Sequence, residues 1–229
     1  MRQYGEVEGS GPIQVFHAEQ ARDNQITLVG GTIPLISRPG VAPDAPGYLV
    51  DRERVRPASQ VFDASGKQCA RYDKIHLFDV TVADQQASYS ESRSYESGNE
   101  LVVVTTASGR LGLSVYYDLR IPELYRALVE RGAEIITVPA AFTRVTGEAH
   151  WATLLRARAI ETQSFILAAA QGGRHNERRE TWGHSMIIDP WGNVLASLEM
   201  GEGVAVAEIN LAQLSEVRER MPIGQQRKL

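Results

Sequence analysis

The sequence predicts an α/β fold with mixed sheets, on three observations. Helical stretches alternate with β-rich runs along most of the chain. Three pairs of β-rich runs are joined by short turns that contain glycine, the mark of antiparallel hairpins. One strand pattern, within residues 112–124, runs straight into a helix, so its turn presents side chains at a strand's carboxyl end, where α/β folds place ligands. Helices on one face alone would leave the other sheet face apolar, so a sheet-on-sheet contact is expected as well.

The elements follow in order. Residues 12–22 read as an amphipathic helix with Pro12 at its start and Ile13, Phe16 and Ala21 roughly on one side. Residues 25–33 are apolar and β-branched, a buried strand. Residues 34–57 hold five of the ten prolines, and read as a long surface loop, mobile at its tip, within one domain. Residues 60–62 and 68–72 form a first hairpin around Asp63-Ala64-Ser65-Gly66. Residues 101–106 and 110–116 form a second around Ala107-Ser108-Gly109. Pro122 opens a helix that Gly132 closes, and a strand at 134–138 follows. Residues 147–163 read as a helix carrying Trp151, Leu154, Leu155, Arg158 and Ile160, followed by a strand at 165–170. A third hairpin pairs 184–189 with 194–198 across Pro190-Trp191-Gly192-Asn193. A strand at 204–209 and a helix at 211–220 end the pattern. There is no internal repeat.

Composition removes several classes of function. The chain has 229 residues, 24 basic and 28 acidic, a formal charge of −4, and is 43% hydrophobic. It is too apolar for disorder and lacks the ~18-residue apolar run of a membrane helix. A mildly acidic chain without a long basic run is not expected to bind nucleic acid or a membrane. One cysteine, Cys69, allows neither an internal disulfide nor a cysteine-built zinc site. It reads as a packing residue in a cytoplasmic protein. His17, His76, His150, His175 and His184 have no metal-ligand spacing, and no cofactor motif is present: no P-loop, no G-x-G-x-x-G, no H-E-x-x-H. Ser114 starts like a nucleophile elbow, but Tyr116 stands where the second glycine is needed. Ser114 therefore reads as a strand residue.

Three strings carry more. YDKIHLFDV at residues 72–80 sets Lys74 just past a strand. YSES at 89–92 sets Glu91 ahead of Ser97-Gly98-Asn99. SVYYDLRIPELYR at 114–126 is the strand-to-helix turn. Together with TGEAHWATLLRARAIETQ, WGHSMIIDPWGNVLA and EVRERMPIGQQR, they resemble the carbon–nitrogen hydrolase (nitrilase) superfamily, nearest to its omega-amidase and deaminated-glutathione-amidase branch. The resemblance extends from about Gly9 to the last residues.

The resemblance implies a four-layer α-β-β-α sandwich and a hydrolase of small ω-amides, giving acid and ammonia through a cysteine thioester. It implies Lys74 as the oxyanion lysine and Glu91 as a second, supporting glutamate. The backbone N–H of Tyr117 becomes the other oxyanion donor, and Phe142 and Thr143 the pocket wall. It also implies a homodimer or higher homo-oligomer, with Ile121, Leu124, Leu128 and Leu155 as a candidate face. A nucleophile needs an adjacent base, and the developing negative charge needs a fixed donor.

Two departures from the family pattern follow. The nucleophile's position holds Tyr116, and a phenol of pKa ~10 is a poor nucleophile at neutral pH. The family's general-base glutamate lies in a motif like LPENF, and Glu6, Glu8 and Glu19 lie in no such motif. The expectation is one carbon–nitrogen hydrolase domain over 1–229 that lacks a first strand–helix–strand unit. It would be catalytically inactive, and marginally stable unless completed by association. A binding or assembly protein of the same fold is the alternative.

Overall fold

A computed structural model describes residues 2–51, 53–84 and 88–228. The first helix, α1 (Pro12–Asp23), starts at a proline, whose missing N–H costs nothing in a first turn. The open N–H groups of that turn are met by a carboxylate. Glu6 accepts from the backbone of Ile13 at 2.7 Å and of Gln14 at 3.2 Å. Gly11 at the helix cap has φ 128°, and a side chain there would run into the Glu6 carboxyl. Within α1, Ala21 is buried, but Phe16 is exposed, so the apolar face is narrower than its sequence indicates.

The expected strand at 25–33 is two pieces, β1 (Leu28–Val29) and β2 (Ile33–Leu35). Both pair antiparallel with β3 (Arg56–Phe62), whose other edge pairs with β4 (Gln68–Asp73). The break falls at Gly30-Gly31-Thr32, where Gly31 takes φ 67°. The proline-rich stretch is shorter than expected at both ends, because Pro34 and Pro57 lie opposite each other in the β2–β3 ladder. Neither can supply an N–H, and their carbonyls accept from Glu6 and Lys74. The segment between is stitched down by guanidinium groups. Arg2 donates to the carbonyls of Val50, Asp51 and Arg54, and Arg38 to those of Gly47 and Leu49. Arg52, in the same segment, lies outside the described residues.

A short ribbon follows, β5 (Asp79–Thr81) with β6 (Ser88–Ser90). The second expected hairpin is β7 (Val103–Thr106) with β8 (Gly109–Leu113). A 3-10 turn at Tyr116–Arg120 leads into α2 (Pro122–Glu130). Then come β9 (Ile135–Thr137), α3 (Arg144–Thr162) and β10 (Phe165–Ala168). A small ribbon, β11 (Gly172–Arg174) with β12 (Glu180–Trp182), precedes the hairpin β13 (Met186–Ile188) with β14 (Val194–Ser197). Two helices, α4 (Leu211–Arg220) and α5 (Ile223–Gln226), close the described chain. The expected strand at 204–209 does not form. Its alternation is real, but Val204 and Val206 point to solvent, 83% and 79% exposed, and no ladder takes up their backbone.

The large sheet runs β14-β13-β10-β9-β8-β7. Its centre is parallel, β8 with β9 and β9 with β10, and β9 is buried throughout, as a strand covered on both faces must be. Helices α2 and α3 cover it with Leu124, Tyr125, Leu128, Trp151, Leu155 and Ala159. Successive residues of β3 face opposite ways. Val61 joins the large sheet's core together with Tyr72 of β4, whereas Ala58 packs with Ile33, Leu35 and Ile13 of α1. The layers are therefore helix, sheet, sheet, helix, the four-layer sandwich expected. Leu124, Leu128 and Leu155, expected on an association face, are spent on this chain's own core; Ile121 is half-buried. Cys69 is exposed on β4 rather than packed. Among the described residues, no helix is long and apolar enough to cross a membrane.

Candidate active site

Lys74 follows the last residue of β4 and is held at both backbone atoms. Its N–H donates to Pro57, and its carbonyl accepts from Gly98 at 2.8 Å. Gly98 is required there, because a side chain would collide with the Asp73 backbone. The Lys74 side chain is 2% exposed. Its ammonium donates to the Glu91 carboxylate, at the start of a one-turn 3-10 helix after β6. The same Glu91 oxygen accepts from the Phe78 backbone at 2.8 Å. Burial lowers the Lys74 pKa, and the Glu91 charge opposes that shift.

Tyr116 opens the 3-10 turn after β8 with φ 51°, left-handed backbone that a bulky residue seldom adopts. The conformation is held from both sides. The Tyr116 N–H donates to Pro139 at 3.0 Å, and the Val115 N–H donates to the Asp118 carboxylate at 2.8 Å. The ring lies edge-on to Phe78 and Phe142, with centroids 5.2 and 5.1 Å away. The Lys74 ammonium sits 4.7 Å from its centroid. Burial, and then the Glu91 charge, push the Tyr116 phenol well above its ordinary range.

The positions of Lys74 and Tyr116 are tied together by Asp118, which is wholly buried. Besides the Val115 N–H, it accepts from the Tyr72 hydroxyl at 2.7 Å and from the His76 backbone at 3.1 Å, and it meets His76 Nδ1 at 2.8 Å. Tyr72 and His76 bracket Lys74 in sequence, and Asp118 follows Tyr116 by two. One carboxylate thus clamps the strand that carries the lysine to the turn that carries the tyrosine. These three residues are absent from the sequence-based site. Their signal was their presence inside the strings YDKIH and VYYD, which does not disclose that the two meet.

The side chains surround a cavity of about 610 Å³, a volume usual for a small-molecule site. Lys74, Glu91, Tyr116 and Thr143 line it. Glu91 is the one carboxylate among the described lining residues. Thr143 also caps α3, accepting from the Thr146 N–H. Phe142 is buried behind the Tyr116 ring, between it and Trp151, rather than at the cavity wall. The Tyr117 ring packs on Phe78 at 5.2 Å, with Arg120 over its face. Gly31, Thr32, Tyr95 and Arg179 also line the cavity, with no periodic or motif signal for them in the sequence, as does Tyr89, whose signal was its place in the string YSES. Four histidines have hydrogen-bonding roles: His76 with Asp118, His150 with Arg120, His175 with Thr181 and His184 with the Trp182 carbonyl. No group of three or more metal-ligating side chains gathers among the described residues.

A four-layer α-β-β-α sandwich is the fold of the nitrilase superfamily. The family model described as carbon-nitrogen hydrolase matches residues 1–219, and the chain belongs to that family. It is 45% identical over 224 residues to the deaminated glutathione amidase of Yersinia enterocolitica, covering 98% of this chain and 74% of that protein. It is 46% identical over 170 residues to the deaminated glutathione amidase of Dictyostelium discoideum, covering 74% of this chain and 58% of that one. Among solved structures, Nit3 of Saccharomyces cerevisiae, described as a member of branch 10 of the nitrilase superfamily, superposes with a TM-score of 0.83 at 28% identity. It covers 100% of this chain and 77% of the Nit3 chain.

Proposed function

We propose that the cavity is an amidase-type pocket that binds small ω-amides of carboxylic acids and does not hydrolyse them. The observation that carries this reading is Tyr116 at the left-handed turn. Its ring fills the space beside Lys74, where an attacking atom would meet the amide carbon.

The chemistry implied by the resemblance has a thiolate attack the amide carbon while a fixed cation holds the oxygen that becomes negative. Lys74 is suited to the second task. Its ammonium is buried and already oriented by Glu91, so little reorganisation is needed as charge develops. Tyr116 is not suited to the first. Its phenol stays protonated at neutral pH, because burial and Glu91 both disfavour the phenolate. Glu91, the lining carboxylate, is engaged by Lys74 and by the Phe78 N–H, and so is a poor base for activating a nucleophile. The same observations favour the second reading, a binding or assembly protein of this fold. The two readings share the pocket and differ in whether occupancy has a downstream partner.

Ammonia release from succinamate-type and glutaminyl-type amides tests the first claim. The chain is expected to give none above the buffer rate, and release that saturates with amide overturns it. For the pocket, Tyr116→Cys is expected to place a thiol beside Lys74 that iodoacetamide labels and succinamate protects, read by peptide mapping at position 116. Labelling at one rate with and without the amide removes the amide-pocket reading.

A further inference from the structure

We infer that a second cavity, at the far end of α3, binds a small organic phosphate monoester, with Arg126 and Arg218 holding the phosphate. The inference is independent of the amide-pocket reading.

This cavity has a volume of about 560 Å³, in the range of small-molecule sites. It lies where the second half of α2 and the end of α3 meet α4 and α5. Thr143 caps α3 at the first cavity, and Thr162 and Gln163 end it at the second. The 19 helical residues between set the two about 28 Å apart, at 1.5 Å per residue. No described residue lines both.

Arg218 of α4 is half-buried, and part of its guanidinium staples the frame. Its Nε donates to the Gln163 carbonyl at 3.2 Å. Its Nη2 donates to the Ala133 carbonyl at 3.1 Å and the Ser164 hydroxyl at 3.2 Å. The Gln163 carboxamide in turn donates to the Met221 carbonyl at 2.7 Å. These bonds fix the guanidinium before a ligand arrives, which limits the ordering cost of binding. The remaining nitrogen, Nη1, bonds no described residue. Burial lowers the Arg218 pKa, and the Glu134 charge that opposes this shift is itself bonded to Arg110. The guanidinium stays charged, with donors to spare.

Arg126 of α2 is the second cation of the wall. Its Nη2 stands 3.5 Å from Glu161, whose other oxygen accepts from Arg158 at 2.9 Å. Glu130 is paired with Arg227. Among the described lining residues, three arginines face two glutamates, which leaves one net positive charge. The carbonyl end of α3 opposes an anion, but Arg218 already covers its Gln163 carbonyl. Two guanidinium groups on different helices meet a ligand in different planes. A tetrahedral phosphate offers oxygens to both, whereas a carboxylate matches one fork in its own plane. Val129, Pro222 and Ile223 complete the wall with apolar surface, and that surface calls for an ester with an apolar body.

Calorimetry on the intact chain with phenyl phosphate, benzoate and phenol tests this. One phenyl phosphate should bind per chain, about tenfold more tightly than benzoate and about a hundredfold more tightly than phenol, as charge-assisted hydrogen bonds require. Arg126→Gln changes a side chain that is 50% exposed. It should weaken phenyl phosphate about tenfold and leave the melting temperature unchanged. Arg218→Lys keeps the charge without the fork and should weaken it as well. Arg179→Gln, in the first cavity, should change nothing. The inference is overturned if phenyl phosphate does not bind, or binds no more tightly than benzoate or phenol. Affinity that survives Arg126→Gln, or that falls in Arg179→Gln, overturns it too.

Discussion

The two sheets of this molecule are held together by different forces. The large sheet is packed. Leu113, Ile136, Phe165 and Ile166 from its central strands, and Leu128, Trp151 and Leu155 from its helices, are essentially inaccessible and form one continuous core. The small sheet has a sparse apolar cluster of its own, Ile33, Leu35 and Ala58 with Ile13 against it. A charge network along its edge does much of the work. Arg56 bonds both Asp73 and Glu96, Arg38 bonds Glu96, and Arg71 joins Asp73 to Glu8. Apolar packing is insensitive to pH, whereas an ion network depends on each carboxylate staying ionised. The difference predicts two halves with different failure modes, joined at the Asp118 clamp that positions the site.

The largest effect should come from the packed half. Trp151→Ala removes a wholly buried indole and its bond to the His184 carbonyl. It should cost about 3–5 kcal/mol, read as the shift in urea unfolding. A loss below about 1 kcal/mol would mean that α3 does not anchor the large sheet.

The small sheet should respond less to truncation and more to acid. Arg56→Ala leaves Asp73 with Arg71 and Glu96 with Arg38, so the loss should be about 1–3 kcal/mol. The pH dependence follows from Glu96. The Arg38 hydrogen bonds chiefly, and Arg56 as well, hold its carboxyl down to about 2, below the ordinary 4.5. A carboxyl depressed in the folded state stabilises above its unfolded value, and that contribution is lost as pH falls from 4.5 toward 2. Hydrogen exchange across that window should show β1–β4 losing protection before β8–β10. Simultaneous loss would mean that the two sheets do not differ in this way.

The smallest effect tests the link between them. Tyr72→Phe deletes the hydroxyl that crosses from the small sheet to Asp118, while the Val115 and His76 donors remain. It should cost about 1 kcal/mol. The measurement that sharpens the comparison is whether thermal unfolding becomes two transitions instead of one.

Much of the framework was legible in the sequence, for local reasons. Pro12 and Pro122 start helices because a first turn needs no N–H from them. Gly66 and Gly109 turn hairpins at φ 83° and 120°. Lys74, Glu91 and Tyr116 could be marked from ordered strings and Thr143 from the family resemblance, and the fold brings these four to one cavity. The errors have physical causes too. Residues 25–33 carry continuous strand propensity, but Gly30-Gly31-Thr32 breaks their ladder. Residues 204–209 alternate like a strand, yet propensity alone supplies no partner for the backbone. Leu124, Leu128 and Leu155 are apolar on a helix, and periodicity cannot tell an internal core from an interface.

By itself, then, the sequence determined where most helices and hairpins begin and turn, and it singled out Lys74, Glu91 and Tyr116. Those properties rest on backbone sterics and on motifs a few residues long. Only the tertiary structure decided that Asp118 would receive Tyr72 and His76 from 46 and 42 residues away. It also decided that burial would silence the Tyr116 phenol, and that Arg179 would line the cavity. Each of these depends on desolvation and on distances between segments remote in the chain, which exist only once the two sheets have packed.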